Sequence, residues 1–288
     1  MDTKELLKKI RLLEIKTKGL TKHIFSGEYH SAFKGRGMTF SEVRDYHIGD
    51  EVRTIDWNVT ARFNEPYVKV FDEERELTVM LIIDVSGSED FGWGDKTKKD
   101  LALEMAAVLS FSAISNNDKI GAIFVSDKVE KYIAPGKGKK HALVILRELI
   151  EIKPTSKGTN ISEALKFFRN TQKKRTIAFV ISDFIDNNDF MEAFKVTRKK
   201  HDMVALRMVD KAESELPSMG IVQLFNSESG ETTWVNTNSR QAKETHAENF
   251  RDAEKKLENE FKKSGIDFTT ISTGEDFIKP LVKLFQNR

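Results

Sequence analysis

The stretch that decides the fold runs from residue 77 to residue 88 and has the sequence Leu-Thr-Val-Met-Leu-Ile-Ile-Asp-Val-Ser-Gly-Ser. Its first seven residues form a continuous β-prone run. Such a run is typical of a strand that is buried on both faces of a parallel sheet. Three polar residues, Asp84, Ser86 and Ser88, follow where that strand is predicted to end. The stretch therefore predicts a central strand with a polar loop at its carboxyl end.

Strands and helices alternate on the C-terminal side of this stretch. The residue pattern predicts helices at about 97–115, 139–150, 161–172, 188–200, 240–263 and 277–285. It predicts strands at 120–125, 129–133, 177–181, 203–209 and 266–271, and a β-hairpin at about 220–237. This alternation is typical of an α/β fold with a doubly wound, mostly parallel sheet. We expect one domain over residues 76–288, with the hairpin as an insertion.

Residues 1–75 have a different character. The pattern predicts an amphipathic helix over 4–18 and a half-buried strand over 66–71. We expect these residues to form an arm that packs on the main domain and does not fold alone. The charged residues between 44 and 56 have two interpretations. An ion-pair network that fixes the arm is favoured over a second binding surface.

The composition argues against several kinds of protein. Charged residues make up 32% of the 288 residues but nearly balance, at a net charge of +2, which argues against electrostatic binding of nucleic acid. The chain has no cysteine, so disulfides and thiolate metal sites are excluded and a reducing compartment fits. The charged N-terminus offers no signal-peptide core, and no apolar run is long enough to span a bilayer. We therefore expect a cytoplasmic protein without a membrane span.

Five residues with oxygen donors follow predicted strands or precede a predicted helix. Asp84, Ser86 and Ser88 follow the first buried strand, Thr159 lies just before a helix, and Asp183 follows another buried strand. Ligand sites of doubly wound sheets form at the carboxyl ends of the strands, so these side chains are expected at one edge. Oxygen donors alone favour a hard cation, Mg²⁺, with Mn²⁺ or Ca²⁺ as alternatives. The simpler interpretation is that the residues cap helices and bond loop amides.

Together, the Asp-x-Ser-x-Ser sequence, the later Thr159 and the strand-end Asp183 resemble the metal-ion-dependent adhesion site of von Willebrand factor A domains. The resemblance implies a von Willebrand A-type, Rossmann-like fold. It also implies that these five residues hold Mg²⁺ and that an acidic residue of a partner protein completes the shell. Many related sites carry an apolar residue after the second Ser, but this chain has Glu89 and Asp90. Their carboxylates are expected to raise cation affinity, to shift it toward Ca²⁺, or to repel an acidic partner.

The segment that precedes the strand predicted over residues 77–83 resembles the bacterial DUF58 family. The similarity is carried by Arg36–Phe40, Val43–Tyr46, Gly49-Asp50, Val52-Arg53, Ile55–Trp57, Thr60–Arg62, Tyr67–Lys69 and Glu73–Leu77. Members of that family are similar to proteins encoded beside MoxR-type AAA+ ATPases. The resemblance implies an adaptor or chaperone-like role with such an ATPase, in the assembly or activation of other complexes.

A non-enzymatic, Mg²⁺-dependent protein-binding module is therefore the predicted function, with no catalytic residue and no organic cofactor. The alternative is a Mg²⁺-dependent phosphohydrolase in which Asp84 is the nucleophile. Haloacid-dehalogenase-type enzymes place a second Asp two residues later, where this chain has Ser86. A serine hydrolase is disfavoured because Gly-x-Ser-x-Gly is absent. Nucleotide binding is disfavoured because Gly136–Lys140 lacks the Walker spacing.

Overall fold

The structure is a computed structural model that describes residues 38–73, 76–90, 92, 96–156, 158–186, 188–214, 217–225 and 232–286. Its strands are β1 (Met38–Asp45), β2 (Tyr67–Glu73), β3 (Thr78–Asp84), β4 (Lys119–Val125), β5 (Val129–Gly136), β6 (Ile177–Ser182), β7 (Asp202–Val209), β8 (Ile221–Phe225), β9 (Thr232–Asn236) and β10 (Asp267–Ser272). Its helices are α1 (Trp57–Phe63), α2 (Lys98–Ser115), α3 (Lys139–Glu151), α4 (Ile161–Thr171), α5 (Met191–Arg198), α6 (Lys211–Ser214), α7 (Arg240–Lys263) and α8 (Ile278–Gln286).

Six of these strands form one sheet in the order β10-β7-β6-β3-β4-β5. All neighbours are parallel except β5, which runs antiparallel to β4 at one edge. This arrangement confirms the predicted α/β class and the mostly parallel sheet. The predicted hairpin is present as the antiparallel pair β8 and β9, while its turn lies outside the described residues.

Strand β3 is buried on both faces because helices cover both sides of the sheet. Val79, Leu81 and Ile83 pack into one core, which contains apolar residues of α2, α3 and α8. Met80 and Ile82 point to the other face, which is covered by apolar residues of α4, α5 and α7. Successive side chains of a strand point to opposite faces, so a continuous apolar run is the pattern that two covered faces require.

The position of β3 in the sheet determines where a ligand site can form. The chain leaves β3 through α2 and returns as β4 on one side, whereas β6 lies on the other side of β3. The loops after β3 and β6 therefore diverge to opposite faces of the sheet. A crevice opens at the carboxyl ends of such strands, which is the usual ligand position in doubly wound folds.

The described part of the arm forms a small antiparallel unit. β1 pairs with β2, and Asp56 caps the amino end of α1 by accepting hydrogen bonds from Asn58 N and Val59 N. Arg44 and Asp50 form a two-pronged ion pair with both nitrogen–oxygen distances at 2.7 Å. All of these contacts join residues of the arm to one another. The helix predicted over residues 4–18 lies outside the described residues, and packing of the arm on the main domain stays a prediction.

Candidate metal site

Asp84 lies at the carboxyl end of β3 and is the centre of the site. Its Oδ1 accepts a hydrogen bond from Ser86 N at 2.9 Å. Its Oδ2 accepts hydrogen bonds from the hydroxyls of Ser182 at 2.7 Å and Thr159 at 3.3 Å. The loop before α4 and the end of β6 are thereby joined to β3 through one buried carboxylate. Ser182 was not predicted as part of the site, although its position directly before the predicted ligand Asp183 could have indicated it.

The two predicted serines are held by a tight turn. A 3₁₀ turn over Gly87–Asp90 begins three residues after the end of β3. It brings the Oγ atoms of Ser86 and Ser88 to within 3.1 Å of each other. Ser86 is buried and Ser88 is half-buried, so the pair extends from Asp84 toward the surface.

Asp183 follows β6 and is oriented by an unusual backbone conformation. Its Oδ1 accepts a hydrogen bond from Ile185 N at 3.0 Å. The intervening residue, Phe184, has a φ of 58°, which lies in the left-handed region. A bulky residue in that region costs roughly 1–2 kcal/mol. The ring of Phe184 is buried against Phe190 and Phe261, and this packing keeps the conformation in place.

Lys98, the first residue of α2, is a charged group of the site that the sequence did not indicate. Its side chain is fully buried, and Nζ donates to Asp183 Oδ2 at 2.7 Å and to Glu213 Oε1 at 2.8 Å. Burial by itself lowers the pKa of Lys98, but the carboxylates of Asp183, Glu89 and Glu213 outweigh it and hold the pKa above its ordinary value. The lysine therefore carries a positive charge among these carboxylates.

Glu89 is the third buried carboxylate of the site. Oxygen atoms of Asp84, Glu89 and Asp183 lie within 4.8 Å of one another, and all three side chains are buried. Glu89 is 2% exposed, and neither of its carboxylate oxygens has a hydrogen-bond partner among the residues that the structure describes. The sequence showed this residue only as a departure from related sites.

The three carboxylates repel one another. Burial and, next, the Asp183 carboxylate raise the pKa of Asp84 to about 6. Burial and the carboxylates of Asp183 and Asp84 raise the pKa of Glu89 well above its usual range. One lysine thus leaves the site with an excess of negative charge when the carboxylates are ionised. A divalent cation would remove that excess and supply partners for the unsatisfied oxygens.

The structure brings all five predicted residues to the same edge of the sheet: Asp84, Ser86, Ser88, Thr159 and Asp183. Every donor is an oxygen, with carboxylates and hydroxyls mixed. This set fits a hard cation such as Mg²⁺, Mn²⁺ or Ca²⁺. Within the described residues, the two carboxylate oxygens of Glu89 have no hydrogen-bond donor, and a bound cation would supply their partner.

Fold and site together define the class of the protein. The central strand of a mostly parallel sheet ends in Asp-x-Ser-x-Ser, with a Thr and a second Asp on the neighbouring loops. The fold is that of a von Willebrand A-type α/β domain, and the set of site residues resembles the metal-ion-dependent adhesion site of such domains. Within that class, the chain belongs to the DUF58 family, described as proteins of unknown function, which matches residues 42–256.

Two mycobacterial proteins are similar to this chain in sequence. An uncharacterized protein of Mycobacterium tuberculosis strain H37Rv is 30% identical over 232 residues, which cover 80% of this chain and 73% of the relative. A second uncharacterized protein, from Mycobacterium avium, is 23% identical over 129 residues, covering 45% of this chain and 76% of the relative. The names of these relatives state no activity.

Among solved structures, the chain is similar to an aerotolerance-related membrane protein from Bacteroides fragilis. The two share 17% identity and a TM-score of 0.50, over 73% of this chain and 97% of that chain. The conserved hypothetical protein BatB from Bacteroides thetaiotaomicron gives 15% identity and a TM-score of 0.49, over 73% and 98% of the two chains. At such identity, the likeness to the B. fragilis protein shows the fold alone. Within the part of this chain that the structure describes, no helix is long and apolar enough to cross a membrane.

Proposed function

We propose that the protein is a non-enzymatic, divalent-cation-dependent protein-binding module. The cation would be Mg²⁺, with Mn²⁺ or Ca²⁺ as alternatives, held by Asp84, Ser86, Ser88, Thr159 and Asp183. The observation that carries the proposal is the convergence of buried carboxylates within 4.8 Å at the carboxyl edge of the sheet. Converging buried negative charge is costly, and a resident cation is the simplest compensation.

The residues of the chain hold and orient the cation, and the cation supplies an electrophile that a partner's acidic residue can bind. Ser88 is half-buried, so the site reaches the surface on the side of the 3₁₀ turn. Ile185, two residues after Asp183, is half exposed. An apolar side chain beside a charged site offers a partner the mixed surface that is common in protein interfaces.

Hydrolysis is a weaker proposal on the same contacts. Haloacid-dehalogenase-type enzymes need an acid/base Asp two residues after the nucleophile, and this chain has Ser86 there. The hydroxyl of Ser86 bonds the hydroxyl of Ser88, which is not a base. Neither a phosphoryl-accepting Asp nor an activated Ser is therefore favoured.

The proposed partner is a MoxR-type AAA+ ATPase or its client, met in the cytoplasm. This part of the proposal depends on the resemblance of the arm and of strand β3 to the DUF58 family. The proposed role is that of an adaptor in the assembly or activation of other complexes.

The direct test is capture of a purified MoxR-type ATPase from the same genome by the immobilised chain. We expect capture in Mg²⁺ and its loss in EDTA or with Asp84→Ala. Asp118→Asn is the matched control, because it alters a buried Asp at the opposite end of the sheet. Equal capture by all variants, with and without EDTA, would reject a cation-dependent contact.

A further inference from the structure

Glu89 is a buried carboxylate whose position the five-residue motif does not explain. It is 2% exposed, and no group in the described residues donates a hydrogen bond to either of its oxygens. A buried carboxylate without partners costs several kcal/mol unless it is protonated or meets a cation.

The same turn that positions the motif also positions Glu89. Glu89 N donates to Ser86 O at 3.2 Å, which closes the 3₁₀ turn after β3. The backbone of Glu89 is thereby fixed relative to the two serine hydroxyls. Its carboxylate lies within 4.8 Å of the oxygens of Asp84 and Asp183. A side chain placed this way points into the cation site and not into solvent.

The buried lysine is shared among several carboxylates. The hydrogen bonds of Lys98 Nζ go to Asp183 and Glu213, at 2.7 and 2.8 Å. Ionised Asp84, Glu89, Asp183 and Glu213 together carry four negative charges, and Lys98 supplies one positive charge among them. This excess of negative charge favours a divalent cation beside the three clustered carboxylates.

We propose that Glu89 is a ligand of the cation, so that the chain contributes three carboxylates to the site. This inference rests on the proposed function, since it needs the cation. Its consequence is that the chain binds the cation tightly without any partner. A partner's acidic residue then competes with a carboxylate that the chain itself supplies.

The test is calorimetric titration of the full chain with MnCl₂ and with MgCl₂. Glu89→Gln keeps the size of the side chain and removes the charge and one ligand oxygen. We expect it to weaken cation binding by about tenfold or more. Glu213→Gln is the matched control, because Glu213 contacts Lys98 but is not one of the three clustered carboxylates. We expect that control to weaken cation binding less than Glu89→Gln does, because Glu213 lies outside the carboxylate cluster.

Thermal melts in EDTA check that each variant folds. We expect Glu89→Gln to be at least as stable as the wild type without metal, because it removes an unpartnered acid. Equal cation affinity in the wild type and Glu89→Gln would overturn the inference, showing a protonated structural acid, while the proposed function would stand. An equal loss in Glu89→Gln and Glu213→Gln would also overturn it, because net charge would then explain the effect. No binding by the wild type would instead reject the proposed function itself.

Discussion

The parallel strands β3 and β4 have a buried aspartate at each end of the pair. These two aspartates have different roles. Asp118 precedes β4, and its Oδ1 accepts a hydrogen bond from Leu77 N at 2.9 Å, at the entry to β3. Asp84 ends β3 at the opposite edge. Burial is the largest cause in both cases, and it raises the pKa of each carboxyl to about 6. By burial and pKa alone, the two ends are indistinguishable.

What distinguishes them is the surroundings of each carboxylate. Asp118 joins the start of β3 to the start of β4, and its charged neighbours Glu76 and Lys137 pair with each other near the surface. The carboxylate oxygens of Asp84 instead lie within 4.8 Å of those of two further buried acids, and the buried Lys98 contacts this cluster. A single buried Asp with a raised pKa is therefore structural here, even though Asp118 Oδ2 also has no hydrogen-bond partner among the described residues. Convergence of three buried carboxylates around a buried lysine indicates a site.

The largest effect is expected when the lysine is removed. Lys98→Met leaves buried carboxylates without their cation, so the free energy of unfolding in EDTA should fall by roughly 3–5 kcal/mol. Much of that loss should be recovered with Mn²⁺, since the metal supplies the missing charge. Chemical denaturation with and without Mn²⁺ measures both numbers.

The control lies at the other end of the sheet. Lys119 is half exposed and pairs with Glu76 at 2.6 Å. Lys119→Met should therefore cost about 1 kcal/mol or less, with no dependence on Mn²⁺. Similar losses of unfolding free energy in Lys98→Met and Lys119→Met would mean that Lys98 does not balance an excess of negative charge in the carboxylate cluster.

A smaller effect is expected from the pH dependence of Asp118. Its folded pKa of about 6 is above the unfolded value, so its protonation stabilises the fold at low pH and that contribution is lost as the pH rises through 6. Relative to Asp118→Asn, the wild type should lose roughly 1–1.5 kcal/mol of unfolding free energy between about pH 5 and about pH 7.5. Denaturant titrations at the two pH values measure this difference. A constant difference would show that Asp118 does not titrate in this range.

The smallest effect is expected from a hydroxyl of the site. Thr159→Val keeps the shape of the side chain and removes the oxygen that lies 3.3 Å from Asp84 Oδ2. We expect cation affinity to fall about fivefold, which corresponds to about 1 kcal/mol. Thr176→Val is the matched control, a buried threonine at the amino end of β6. It should leave the cation affinity unchanged in the same titration, and an equal loss in both would argue against a role for Thr159.

Much of the fold could be predicted because its signals are local. The helix predicted over 240–263 is α7 (Arg240–Lys263), since one apolar stripe on a charged helix sets its extent. The strand predicted over 77–83 is β3, shifted by one residue at each end. The strand β1 was not predicted, because its charged and aromatic residues do not alternate cleanly.

The motif residues of the site could also be predicted, since strand ends and residue types are visible in sequence. Lys98 could not, because it stands in a run with Lys96 and Lys99 that is typical of a solvated helix start. Its burial depends on Glu213, which is 115 residues away in the chain. Such a partner is set by the topology of the sheet and leaves no local pattern.

The central claim is that the end of β3 binds a divalent cation and that the other end of the strand does not. Calorimetric titration with Mg²⁺ and Mn²⁺ tests it on the wild type, on the double variant Asp84→Ala with Ser86→Ala, and on Asp118→Asn. We expect saturable binding by the wild type and by Asp118→Asn, and no binding by the double variant. No binding by the folded wild type, or binding that survives the double substitution, would contradict it.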